Sequence, residues 1–324
     1  MTQHENKVGY AVGVDLGGTN LRAALVDLGH DGRLVRDVKI PRPQEQSAER
    51  MADHVAELVK QVDPEGLRAG VGVGFAGMLR GWTGVVVNAP NFGWREVNLR
   101  GPLRERLGPR VELYNDLNAI AYGEAVFGAA RGAKDVLCVF VGTGLGAGVV
   151  IEGKLYIGMS HLAGEIGHSK VVPGGRLCGC GARGCIEAYV SGVNIRKRAR
   201  EELQDVKGSL VVELAGGLEN VHAGYIDQAA RQGDPWSVAL WNEVAPLLGT
   251  LLANSVALLN PSHIVMGGGV WENTPELRRR VLESFNSLVN GPSAQDLSIV
   301  DSTLAQHAGV LGAAALIGAG TVSA

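Results

Sequence analysis

Short apolar runs alternate with longer amphipathic stretches along this chain. Tyr10–Val14 and Leu21–Val26 are apolar and flank Asp15-Leu-Gly-Gly-Thr-Asn20, which predicts strand, glycine turn, strand. Residues 47–62 set Met51, Val55, Leu58, Val59 and Val62 at the spacing of one helix face. Ala69–Phe75 predicts a strand. Val85–Val87 predicts another, running into the loop Asn88–Trp94, which is rich in Pro, Gly and Asn. Val111–Tyr114 predicts a strand closed by Asn115-Asp116, with a helix over about Leu117–Gly128.

The opening pattern then recurs. Val136–Val141 predicts a strand, Gly142–Gly148 a glycine turn, and Val149–Ile151 a strand again. The match between Val-Gly-Val-Asp-Leu-Gly-Gly-Thr and Val-Phe-Val-Gly-Thr-Gly-Leu-Gly predicts an internal duplication, with a cleft between two phosphate-sized loops. A long helix over Pro235–Leu259 stops at Asn260-Pro261, and strand His263–Met266 leads into Gly267-Gly268-Gly269. Helices follow over Pro275–Leu288 and Val310–Gly318. Strands alternating with helices make the fold class α/β.

A length of 324 residues predicts two domains. With 46% hydrophobic and 19% charged residues, the chain is neither disordered nor fibrous. A net charge of −3 gives no general attraction to nucleic acid or anionic membrane. Met1–Lys7 is polar and has no signal-peptide core. The longest apolar stretches are Val244–Leu259, interrupted by Pro246, Gly249, Thr250 and Asn254, and the Gly- and Ala-rich Val310–Ala324; neither predicts a membrane span. Four cysteines, three of them within Cys178–Cys185, indicate metal rather than a disulfide framework, and a cytoplasmic setting is expected.

The chemistry concentrates in three places. Consecutive N–H groups in Asp15–Asn20 can cradle a phosphate, with Mg²⁺ between Asp15 and the anion, although a plain hairpin turn fits the same residues. Gly142–Ala147 also fits a relaxed dinucleotide fingerprint, so an NAD-dependent enzyme is the rival reading. The strand-like Gly148–Ile151 that follows argues against it, because that fingerprint opens a helix. His168, Cys178, Cys180 and Cys185 read His-x₉-Cys-x-Cys-x₄-Cys, a full tetrahedral zinc set that leaves no open position, hence a structural site. Asp116 suits either a helix cap or a general base at the end of a strand. Glu165 and Glu187, tethered near the metal residues, suit binding of polyol hydroxyls or plain surface charge.

Asp15–Asn20, Glu165-Ile-Gly-His168 and Cys178-Gly-Cys-Gly-Ala-Arg-Gly-Cys185-Ile-Glu187 together resemble the ROK family (repressors, open reading frames, kinases), and within it the bacterial sugar kinases, over about Tyr10–Gly320. The resemblance implies an actin-like ATPase fold of the sugar kinase/hexokinase type, with two lobes around a nucleotide cleft. The smaller lobe would hold residues 10–118 plus 308–324, and the larger 119–307 with the zinc segment 168–185. It implies ATP phosphates at Asp15, Gly17, Gly18, Thr19, Asn20, Thr143 and Gly144, with adenosine near Gly267, Gly268 and Gly269. The sugar positions would be Gly77, Asn88, Asn115, Asp116, Glu165, His168 and Glu187, with Asp116 as base. Ala76-Gly77-Met78 lacks the Pro-Gly often found there. The implied reaction moves the ATP γ-phosphoryl, with Mg²⁺, to the 6-hydroxyl of a hexose, glucose first, in a protein that forms a dimer or tetramer. Other hexoses, N-acetylhexosamines, polyphosphate as donor and a non-catalytic sugar-binding regulator stand as alternatives. About nine residues precede the first strand, too few for the helix-turn-helix of the family's repressors.

Overall fold

In the computed structural model the described residues are 9–44 and 47–320. The polar start Met1–Lys7 and residues 321–324 of the expected C-terminal segment lie outside them. In chain order the first half holds β1 (Tyr10–Leu16), β2 (Asn20–Asp27), β3 (Arg33–Pro41), α1 (Ala48–Val62), β4 (Val71–Phe75), β5 (Met78–Arg80), β6 (Val85–Ala89), β7 (Trp94–Asn98), α2 (Arg100–Leu107), β8 (Val111–Asn115) and α3 (Asp116–Val126). Then come β9 (Val136–Val141), β10 (Leu145–Ile151), β11 (Lys154–Tyr156), α4 (Glu187–Val190), α5 (Gly192–Leu203), α6 (Leu210–Ala215), α7 (Ala223–Arg231) and α8 (Pro235–Leu259). The chain continues through β12 (His263–Gly267), α9 (Gly269–Glu272), α10 (Pro275–Leu288), α11 (Gly291–Ala294), β13 (Ser298–Asp301) and α12 (Ala308–Gly318).

The sheets carry the duplication. One runs β3-β2-β1-β4-β8 and another β11-β10-β9-β12-β13, so the third, second, first, fourth and fifth strands of each lie side by side in that order. In the first sheet β1 pairs antiparallel with β2 and parallel with β4. In the second, β10–β11 is antiparallel and β12–β13 parallel. A small antiparallel sheet, β5-β6-β7, completes the set.

Two compact units emerge. One holds the described residues up to Cys138, Gly148–Gly164 and those from Ser302 on; the other holds Val139–Ala147 and Glu165–Asp301. This division differs from the expected one at 118 and 308. Helix α3 belongs with α12: a Cβ on Gly312 would stand 1.7 Å from the Ala119 carbonyl oxygen, so the two backbones touch. The segment before α12 joins the same unit because the buried Glu124 carboxylate accepts hydrogen bonds from Ser302 Oγ and from the Thr303 and Leu304 N–H groups.

In the first unit α1 starts at Ser47, whose hydroxyl accepts from the Arg50 N–H, and buries Met51, Val55, Leu58, Val59 and Val62. On the opposite face α12 lies flush on the sheet. A Cβ on Gly13 would stand 1.8 Å from the Val310 carbonyl oxygen, and one on Gly72 2.0 Å from that of Ala313, so only glycine permits the approach.

In the second unit α8 is long and apolar enough to cross a bilayer by length and composition. Its Leu240, Trp241, Val244, Leu248, Leu252 and Val256 are buried, and it packs against α10 and α7, as the core helix of a globular unit does. Asp234 caps its start, and Asn260, in left-handed conformation with φ 45°, ends it.

The expected turn Gly142–Gly148 is shorter in the structure, because β10 already begins at Leu145. Gly148 serves packing rather than turning: a Cβ there would stand 2.4 Å from Ala121 and 2.8 Å from the Leu117 carbonyl oxygen of α3.

Candidate active site

The first unit carries one glycine turn. The Gly17 N–H donates to the Asn20 carbonyl at 3.1 Å, closing the hairpin between β1 and β2. The two carbonyls inside the turn are held by a single residue beyond the end of β3. Arg42 donates its backbone N–H to the Thr19 oxygen at 2.8 Å and its Nε to the Gly18 oxygen, also at 2.8 Å. Asp15, at the end of β1, has its carboxyl pushed above the usual range by burial, with Arg22 and Lys39 pulling the other way.

The same unit gathers Gly77, Asn88, Asn115 and Asp116. Asn115 ends β8 and is itself the cap of α3, its Oδ1 accepting from the Asn118 N–H at 3.1 Å. Asp116 is therefore the first helical residue and not the cap; its Oδ1 accepts from the Leu117 N–H at 2.9 Å, which fixes the carboxylate at the carboxyl end of β8. Asn115 Nδ2 reaches the Gly77 carbonyl at 3.4 Å, and Asn88 pairs with Met78 across β5 and β6. A Cβ on Gly77 would meet the Phe75 ring at 2.6 Å.

The second unit carries the other turn. The Gly142 N–H donates to the Gly144 carbonyl at 2.9 Å. The Gly142 and Thr143 carbonyls accept from the first N–H groups of α5, Gly192 at 2.8 Å and Val193 at 3.3 Å. Beside the turn lies a cavity of about 450 Å³ whose lining includes Thr143, Gly192, Arg196, His222, Gly269 and Asn273. Gly269 alone of the three expected glycines lines it. Gly267 is buried in β12 against the Phe140 ring, and the Gly268 N–H donates to Glu272. Sequence reasoning missed Arg196, His222 and the α5 N–H groups. Ser191, whose hydroxyl accepts from the Asn194 N–H at 3.4 Å, was the local signal for a helix start there.

In this unit His168, Cys178, Cys180 and Cys185 bring one ligand atom each to within 4.8 Å of the others. The Sγ atoms of Cys180 and Cys185 are 3.7 Å apart, and Cys178 Sγ is 3.8 Å from His168 Nδ1. Thiolates around a tetrahedral zinc with bonds of about 2.3 Å would lie roughly 3.8 Å apart, so the set fits the ion. Burial pushes the Cys178 thiol up to about 12, an environment in which a thiolate needs a cation beside it. Lys170 Nζ also lies 2.8 Å from Cys185 Sγ.

The expected sugar residues of this unit surround the metal set. His168 turns Nδ1 toward the cysteines and Nε2 toward Glu165, whose Oε2 is 3.9 Å away. Burial raises the Glu165 carboxyl, His168 opposing and Glu187 adding to the shift. Glu187 opens α4 and accepts from the Leu145 N–H at 3.1 Å, so one carboxylate joins the turn Gly142–Gly144 to the metal-binding loop.

Two sheets of one strand order, each with a hairpin closed by a glycine turn, define an actin-like ATPase fold of the sugar-kinase type. The chain belongs to the ROK family, whose profile matches residues 11–319. It is 35% identical to a glucokinase of Thermotoga maritima over 307 residues, covering 94% of this chain and 96% of that one. It superposes on a ROK family glucokinase from Streptomyces griseus in complex with glucose and AMPPNP, with a TM-score of 0.78 and 36% identity over 95% of this chain and 99% of that one. A ROK hexokinase from Thermus thermophilus matches with a TM-score of 0.80 and 33% identity, over 94% and 96% of the two chains.

Proposed function

We propose that this protein is an ATP-dependent glucokinase. The observation that carries the reading is the near full-length likeness to a ROK glucokinase crystallised with both glucose and a nucleotide analogue. The general base in this reading is Asp116, and the support for it is that its carboxylate is held at the carboxyl end of β8 by the Leu117 N–H.

In this reading the 6-hydroxyl oxygen of glucose forms a bond to the γ-phosphorus of ATP. The bond from that phosphorus to the bridging oxygen breaks, ADP leaves, and the hydroxyl proton passes to the Asp116 carboxylate. Asp15, Gly17, Gly18, Thr19, Asn20, Thr143 and Gly144 are the residues that would serve the phosphates. The cavity lined by His222, Arg196 and Gly269 takes the adenosine. Asp15 would be the protein-side carboxylate for the Mg²⁺ bound with ATP, whose charge would offset that of the phosphates.

Gly77, Asn88, Asn115, Glu165, His168 and Glu187 are the residues that would contact glucose. His168, Cys178, Cys180 and Cys185 would hold a zinc ion, which would supply a fixed frame for the loop that carries them. The donor imidazole keeps Nε2 for a sugar hydroxyl. Free thiols, ATP and glucose together suit the cytoplasm, and the working form is a dimer or tetramer, to be measured by light scattering.

The deciding experiment is ADP release across glucose, mannose, fructose and N-acetylhexosamines, with ATP or polyphosphate as donor. Glucose with ATP is expected to give the highest kcat/KM. An absence of ADP release with every hexose would overturn the reading.

A further inference from the structure

Arg42 stands outside every motif in the sequence, yet it makes two hydrogen bonds to adjacent carbonyls of the first glycine turn. In a trans peptide the carbonyl and the following N–H lie in one plane and point in opposite directions. All peptide bonds among the described residues are trans. Holding the Gly18 and Thr19 oxygens on one side therefore turns the N–H groups of Thr19 and Asn20 to the other.

We propose that Arg42 is a positioning residue that aims these N–H dipoles at the ATP phosphates. The proposal rests on the kinase reading above. Three further observations carry it. Pro41 and Pro43 flank Arg42 and stiffen the backbone that delivers its N–H. Its guanidinium lies 4.7 Å from the centre of the Phe92 ring, which is buried against Phe75 and Trp94, so the side chain has a firm seat. The second glycine turn has the same arrangement, its Gly142 and Thr143 carbonyls being held from behind by Gly192 and Val193. Phe92 also belongs to the segment that follows Asn88, so Arg42 links the phosphate turn to the expected sugar loop of its own unit.

The test compares Arg42→Met and Arg42→Lys with wild type by titration calorimetry against MgATP, MgADP and adenosine. Arg42→Met keeps the apolar stem and loses the Nε donor. Losing a charge-assisted hydrogen bond should weaken MgATP and MgADP on the order of 10-fold. Arg42→Lys should recover part of that loss. Adenosine, which has no phosphate, should bind all three alike, and thermal midpoints should show the variants folded. Asp15→Asn separates the two readings. If it weakens MgATP while Arg42→Met does not, the role of Arg42 falls and the site stands. If neither variant changes MgATP affinity, the phosphate site itself is elsewhere and both fall. Equal weakening of MgATP and adenosine by Arg42→Met would also overturn the aiming role.

Discussion

Each of the two glycine turns has two adjacent carbonyls held by hydrogen bonds, but the donors differ in kind. In the second, the carbonyls meet main-chain N–H groups at the start of α5, a brace that a side-chain change barely touches. In the first, an arginine just beyond the end of β3 supplies both donors, one from its main chain and one from its side chain. The second turn is also tied, through Glu187 at the Leu145 N–H, to the expected sugar residues and to the metal-binding set. The first turn reaches the expected sugar loop through the ring contact at Phe92 and through the Asn91 side chain, which a Cβ on Gly18 would meet at 2.9 Å. A duplicated fold can thus keep a pair of braced carbonyls while the device that braces them changes.

The largest test of this comparison removes the chemistry from the first unit and leaves both turns intact. Asp116→Asn cannot accept the proton, and turnover should fall about 10²–10⁴-fold with glucose affinity far less changed. Steady-state kinetics with a glucose titration checks it; near-wild-type turnover would return Asp116 to a purely helical role.

Next in size is the metal frame of the second unit. Cys180→Ser should lower bound zinc, measured by metal analysis, and raise the glucose KM on the order of 10-fold or more. The KM for ATP should rise less, because α5 still holds the turn. A folded, zinc-free protein with normal glucose affinity would show that the metal braces only its own loop.

A smaller effect concerns Asp15. Its raised carboxyl binds a proton more tightly in the folded chain than in the unfolded one. Stability from this group is therefore full below its ordinary value of 3.8 and declines as pH rises through the folded value. Asp15→Asn removes the buried charge. The nucleotide-free variant should melt at or above wild type at neutral pH, with the gap closing as pH falls toward 3.8, while MgATP binding is lost. A lower midpoint at neutral pH would show that Arg22 and Lys39 outweigh burial.

The smallest change probes the main-chain brace. A Cβ on Gly192 would stand 3.0 Å from the Gly142 oxygen, so Gly192→Ala should displace the turn by a few tenths of an ångström. The ATP KM should rise about 2- to 3-fold, less than for Arg42→Met, because the N–H donor survives. A larger loss than in Arg42→Met would reverse the ranking of the two braces.

Periodicity exposed the elements that bury one face. β1, β2, α1, β8 and α8 were legible within a few residues of their bounds because their cores impose the pattern. β3 was not, since none of its residues is fully buried and only Leu34, Val38 and Ile40 turn part way toward a core. Gly148 was misleading: glycine required for flush packing on α3 reads the same as glycine required for a turn. At the site, the metal residues and Asp116 announce themselves by type and spacing. Arg42 does not, because its partners lie 23 and 24 positions earlier and only the pairing of β2 with β3 brings them near. The hydrogen-bond donors of α5 are backbone and have no letter in a sequence.

The contact of α12 with β1 and β4 has a consequence during synthesis. The strands whose glycines receive this helix leave the ribosome long before it does, since all of Glu165–Asp301 is made in between. At translation rates of about 5–20 residues per second, that interval is on the order of ten seconds or more. Throughout it the nascent first unit presents an uncovered sheet face, while the second unit has nearly its whole chain in one stretch. The order of translation therefore favours the second unit maturing first.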